Sequence, residues 1–343
     1  MKNLFLATTL FLTSVASASA QLTVVTLHHN GTTTPFYSNS GFVDAYTASV
    51  AGDTIILPGG NFNPPASIDK RLTIIGTGHY PDSTGATGVS FVTTTITLSG
   101  SADSSCIEGL YINGSLNFTA DQAVDYVLIK KNFINGSINF SGSRTTPCIH
   151  ATLINNIVAG SLNTDNANTL NFSNNIVNGG VRYLNNGVVQ NNVFLNYDGN
   201  WGWNEDFVFY YSDQSLIQNN IIIHSNVIFR GGAVNNTVSN NLFIYTPSLG
   251  SGVISGNYFN VPQASIFTSQ TGNSFNYTHN YHLQSPGTYL GTDGTQVGIY
   301  GGYYPYKEAA VPGNPHIQTK TIAPTTTPAG DLNINIKVKA QDN

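Results

Sequence analysis

Apolar and polar positions along the chain fall into short strings that return at a steady interval. The string Ile154-Asn155-Asn156-Ile157-Val158 has relatives at Lys131-Asn132-Phe133, Asn174-Asn175-Ile176, Asn191-Asn192-Val193, Asn219-Asn220-Ile221 and Asn240-Asn241-Leu242, with weaker copies at Gly256-Asn257-Tyr258 and His279-Asn280-Tyr281. The mean step between the second residues of these pairs is about 21 residues, a period that marks a solenoid. Between the pairs lie short alternating strings such as Gly114-Ser115-Leu116-Asn117-Phe118, Gly136-Ser137-Ile138-Asn139-Phe140 and Gly160-Ser161-Leu162-Asn163. Alternation turns Leu116, Phe118, Ile138, Phe140 and Leu162 inward and the Asn residues outward. Stacked in register, coils of this kind place like residues above like, and an Asn amide can donate to the next coil while accepting from the previous one. Asn also suits the left-handed conformation of a tight corner. A leucine-rich repeat has a similar period, but its helical or leucine-rich convex side has no counterpart here.

The pattern changes at both ends. Residues 21–40 read as a polar lead-in strand. From Gly41 to Val50, Phe42, Val43, Tyr46 and Val50 are spaced as one apolar helical face, enough to cover the open end of a solenoid core. Past Tyr300 the aromatic run Tyr300-Gly301-Gly302-Tyr303-Tyr304-Pro305-Tyr306 is followed by two strand-like stretches, His316 to Ile322 and Leu332 to Ala340. These predict a C-terminal β-hairpin laid on the last coils to hide their edge.

After the helix, Gly52-Asp53-Thr54-Ile55-Ile56-Leu57-Pro58 leads into Leu72-Thr73-Ile74-Ile75-Gly76. Here the chain resembles the opening of the secreted right-handed parallel β-helices of the pectin-lyase-like superfamily. The resemblance spans about residues 41–285, and the loop Gly78-His79-Tyr80-Pro81-Asp82-Ser83-Thr84 resembles that of exported β-helix proteins of Bacteroidetes-type bacteria. It implies an all-β fold, a single-stranded right-handed parallel β-helix of about ten coils with a short N-terminal capping helix, to which the alternation past Tyr300 adds the C-terminal β-hairpin. It also implies contact with extracellular polysaccharide.

Composition narrows the setting. Lys2, the short apolar run Leu4 to Val15 and the small residues Ala18-Ser19-Ala20 read as a secretory signal over residues 1–20. The expected layout is then a β-helix with its cap over 21–298 and a C-terminal segment over 299–343, in a secreted protein found outside the cell, in the periplasm or at the cell surface. Only 8% of residues are charged and the formal net charge is −5, which argues against nucleic acid or an anionic membrane as partner. A monomer that does not insert into membranes is expected. Cys106 and Cys148, aligned through the Ile-Asn-Gly-Ser copies, fall two coils apart and out of phase, too far for a disulfide.

The longest step, 28 residues from Asn192 to Asn220, contains Asn196-Tyr197-Asp198-Gly199-Asn200-Trp201-Gly202-Trp203-Asn204-Glu205-Asp206-Phe207, with both tryptophans of the chain. An enlarged turn on a uniform scaffold is where function is added. Seven residues on from the Asn of each coil come Asn139, Asn163, Arg182 and Gly199, so Arg182 is expected in an outward row at the start of the insertion, with Arg230 one coil later. Two readings stay open. Catalysis as a glycoside hydrolase or polysaccharide lyase would use Asp198, Glu205 and Asp206, with Asp213 as a further carboxylate, and Arg182 and Arg230 as bases; a hydrolase needs paired carboxylates, and a lyase takes calcium or a second cation beside the uronate. Binding without cleavage would use Tyr197, Trp201 and Trp203 as stacking faces. The polygalacturonase motifs Asn-Thr-Asp, Asp-Asp, Gly-His-Gly and Arg-Ile-Lys, and the pectate-lyase Arg-x-Pro-x-x-Arg, are missing from this sequence. No resident cofactor and no metal ligand set are expected: His150, His224 and His279 are isolated, and Asp293-Gly294-Thr295 is a turn.

Overall fold

A computed structural model describes residues 23–196, 207–223, 228–231 and 233–341. It is a parallel β-solenoid whose strands stack into three long sheets. One coil crosses all three, as in Leu128–Lys130, Phe133–Ile134 and Ile138–Phe140, each pairing in parallel with its counterpart in the coils before and after. Among the described residues the third sheet has 8 strands, so eight coils are complete, while the first two sheets continue to Gly252–Ser255 and Leu242–Phe243. The inward positions form a continuous core: Leu116, Ile138, Leu162 and Val181 stack in one ladder, and Phe118 lies on Phe140 with ring centroids 3.9 Å apart.

The Asn pairs divide two tasks. The second Asn of each pair is fully buried as far as Asn241, and its side chain joins a continuous ladder from Asn132 through Asn156, Asn175, Asn192, Asn220 and Asn241 to the half-buried Asn257. Each Nδ2 donates to the next Oδ1 at 2.9–3.1 Å. The same Oδ1 accepts the preceding Asn's backbone N–H, and Nδ2 also reaches a carbonyl of the coil before, such as Ile129, Leu153 or Phe172. A fully buried amide is therefore satisfied on both sides, which is the condition for burying it at all. The first residue of the pair turns the corner between the first and second sheets at positive φ, from Lys131 (56°) and Asn155 (57°) to Asn219 (58°) and Asn240 (52°).

At the N-terminal end the expected lead-in strand is a hairpin, Val25–His29 with Thr32–Phe36, turned at Asn30-Gly31, where both φ values are positive. Helix Gly41–Ala48 follows, burying Phe42 and Ala45 in the core cluster, and Lys70 Nζ caps its last turn through the Tyr46 and Ser49 carbonyls. Both thiols are free, with burial pushing Cys106 and Cys148 up to about 11.

The C-terminal part corrects the expected layout in two places. His279-Asn280-Tyr281 is not a coil: the ladder ends at Asn257, and residues 258–312 travel back over the outside of the second sheet. The outward column there is apolar from Phe91, Tyr111 and Phe133 through Ile157, Ile176, Val193 and Ile221 to Leu242. It packs with Val261, Phe267, Tyr281, Val297, Ile299 and Tyr306 into a second core. The corner Asn residues hold this strap: Asn174 Nδ2 donates to the Ile299 and Gly301 carbonyls, Asn191 Nδ2 to Gly298 and Asn240 Nδ2 to Leu290.

The hairpin itself forms, His316–Ile322 with Ile334–Lys339, but it does not cover the last coils. Its base is pinned to early coils through His316 Nε2 and the Ser83 carbonyl, and through Lys131 Nζ to the Gln341 carbonyl. Ile334, Ile336 and Val338 stay exposed, and so does the edge strand Gly252–Ser255. The alternation of that stretch describes a strand without saying what lies against it.

The ladder yields a direct expectation. Asn192→Ala strips the Asn175 backbone N–H and Nδ2 of their acceptor and the Phe172 and Gln190 carbonyls of a donor, so urea unfolding is expected to show a loss of about 3 kcal/mol or more. Asn139→Ala removes one half-buried bond to Asn117 and is expected to cost about 1 kcal/mol or less. Equal losses at the two positions would contradict the assignment.

Candidate functional site

The outward row of the third sheet runs Asn117, Asn139, Asn163, Arg182, Tyr210 and Arg230. Arg182 and Arg230 thus share one column, two coils or about 10 Å apart, with Tyr210 between them. The expectation that Gly199 follows Arg182 is corrected by this register. The insertion leaves the scaffold after Leu195 and returns at Phe207, and the strand Phe209–Tyr210 resumes the stack. Tyr197, Asp198, Trp201, Trp203, Glu205 and Asp206 lie outside the described residues.

Arg182 does not stand in an open groove. It is only 7% exposed, and its guanidinium lies 6.0 Å from the centre of the Phe207 ring, an arrangement that shelters a cation against an aromatic face. The accessible groups stand one position further along the chain, at the corner that ends each third-sheet strand. Tyr183 and Tyr211 occupy this corner on successive coils, both at positive φ, with rings nearly parallel (8°) and 5.8 Å apart. Tyr211 is 45% exposed. Gly231 takes the same corner one coil later at φ 82°, where a Cβ would come within 2.7 Å of the Tyr211 ring. Glycine there both supplies the conformation and lets the ring lie down.

Arg144 closes the corner from the side. Its Nε donates to the Asp165 carbonyl at 3.0 Å and its Nη2 to the Tyr183 carbonyl at 3.2 Å, with the guanidinium 5.9 Å from the Tyr183 ring centre. Beside it, the Asp165 carboxyl is held above the usual carboxylate range by desolvation, which outweighs the opposing influence of Arg144, its hydrogen bond with Asn163 and the influence of Arg182. The result is a surface that gathers Arg144, two stacked tyrosines and one carboxyl whose pKa is raised by desolvation. Asp213 has a structural part in the same coils, its Oδ1 accepting the Val234 backbone N–H.

Sequence reasoning found Arg182 and Arg230 by register but missed Arg144, Asp165, Tyr183 and Tyr211. Tyr183 and Tyr211 each follow the residue of the outward row, and that shared offset was the available signal. Arg144 and Asp165 sit in corner loops that no repeat position marks. Of the isolated histidines, His150 stacks on Tyr126 with centroids 5.0 Å apart, and His279 lies on the strap. Among the described residues no group of three or more His, Cys, Asp or Glu is placed to hold a metal ion, and no helix is long and apolar enough to cross a membrane. The chain matches no protein-family model, no curated protein and no solved structure.

Proposed function

We propose that the protein binds an acidic extracellular polysaccharide along the outer corner of its third sheet, without cleaving it. The observation that carries this reading is the stacked pair Tyr183 and Tyr211, with Arg144 against Tyr183 and Arg230 on the next coil in register with Tyr210. Flat aromatic faces stack on the C–H face of a sugar ring, and guanidinium groups take carboxylates in two-point contacts. Because coils repeat along the solenoid axis, an extended chain of repeating units meets repeating corners. In this reading Arg182 supports the surface from beneath, adding positive potential while staying under Phe207.

Cleavage is the second reading, favoured by Asp165, a carboxyl inclined to keep its proton and placed among arginines. Such a group has the character of a general acid. Incubation with polygalacturonate, followed for unsaturated uronate absorbance and for reducing ends, separates the two readings: binding alone gives neither signal.

Retention on immobilised polygalacturonate at low salt is expected, falling as salt rises. Tyr211→Ala and Arg144→Ala are each expected to weaken it by about tenfold, ~1.4 kcal/mol. Equal retention of both variants and the parent, or no retention of the parent, would sink the proposal.

Protonating Asp165 removes a negative charge beside the arginines, so affinity for a sulfated glycan, which stays anionic throughout, is expected to rise as pH falls through the Asp165 pKa. Asp165→Asn should flatten that pH dependence and bind at the low-pH level throughout. An unchanged pH profile in the variant would remove Asp165 from the site.

A further inference from the structure

The strap creates a cleft that the third-sheet surface does not explain. Where residues 277–308 double back over the early coils they meet Tyr80 from the 78–84 loop, and between them lies a cavity of about 260 Å³. Its floor is aromatic. Tyr277 stands edge-on to Tyr80 at 4.8 Å, and the Tyr306 hydroxyl meets the Tyr80 hydroxyl at 2.9 Å. Burial pushes the Tyr277, Tyr300 and Tyr306 hydroxyls well above the ordinary phenol value, so they stay neutral, with Tyr300 donating to Glu308 and Tyr306 to Tyr80.

The rim is polar and open. The His282 ring lies flat on Tyr300, with centroids 3.8 Å apart and planes at 8°. His282 Nε2 and the Tyr300 hydroxyl converge on Glu308 Oε1 at 2.8 and 2.9 Å. Glu308 is 68% exposed at its side chain, and Asn280 stands exposed beside it. None of these groups belongs to the solenoid repeat, and the first core and the ladder form without them.

We propose that this cleft is a second ligand site, which takes a single neutral sugar ring. Its volume lies below the roughly 300–1,000 Å³ of pockets for drug-sized ligands, which suits one ring and not a chain interior. A negative carboxylate at the mouth, with no arginine or lysine among the lining residues, disfavours a uronate. An ammonium ligand would want an uncovered ring face, whereas Tyr300 is covered by His282. What the cleft offers is a mainly polar lining of amide, imidazole, carboxylate and phenol, donors and acceptors together, set among tyrosine rings; that mixture matches a ring bearing several hydroxyls. The site is independent of the arginine surface and stands or falls separately from it.

The test is saturation-transfer NMR on the full chain with the methyl glycosides of glucose, galactose, mannose and N-acetylglucosamine, and with tetramethylammonium as the competing cation. Transfer to the ring protons of at least one glycoside is expected, reduced several-fold in Glu308→Ala and in His282→Ala. Both altered side chains are exposed, so circular dichroism should show an intact fold. Absence of transfer to every glycoside, transfer that survives both cleft substitutions, or binding of tetramethylammonium alone would overturn the proposal.

Discussion

A buried amide that hydrogen-bonds to its own copy one coil away is the constraint on which the structure rests. An Asn side chain in a dry interior is tolerated only if its N–H and C=O groups are met, and from Asn156 to Asn241 each is met by the Asn above, the Asn below and a backbone carbonyl. The bond forms only when successive coils are in register, so the ladder specifies register as well as contributing stability. Connections of very different length, 16 residues from Asn241 to Asn257 and 28 from Asn192 to Asn220, return to the same rung. Variable loops are thereby uncoupled from the scaffold.

The second sheet carries the other consequence of the Asn-pair strings. Its strands place two apolar residues in succession, as in Ile157–Val158 and Ile176–Val177, so one faces the core and the other faces out. A sheet apolar on both faces must be covered twice. The strap supplies the second cover: corner Asn residues at positive φ tie it to the later coils, and Tyr277 and Tyr306 carry it back to His79 and Tyr80 in the early ones. Tyr80, Tyr277 and Tyr306 come together only because of that return.

Much of this was legible in the repeats. The period, the inward ladder of Leu116, Ile138 and Leu162, the capping helix, the free thiols and the shared column of Arg182 and Arg230 all follow from counting residues within a coil, because a solenoid converts sequence spacing into position. What counting missed has physical reasons. The Asn280 copy carries the local string without coil partners, and its neighbours are held by side chains more than a hundred residues away in sequence, a relation that no period encodes. The hairpin strands alternate, yet alternation records only that two faces differ. Asp165 and Arg144 sit in corner loops, where residue type is free of the repeat and proximity depends on how each loop folds.

The account's central functional claim is that sugar carboxylates meet the arginines at the third-sheet corner while a ring stacks on Tyr211. A crystal structure of the protein soaked with an oligogalacturonide tests it most directly. An ordered chain running along the solenoid axis is expected, with a ring over Tyr211 and uronate carboxylates within hydrogen-bonding distance of Arg144 or Arg230. Ordered sugar bound only on another face, or none at a concentration that saturates binding in solution, would contradict it.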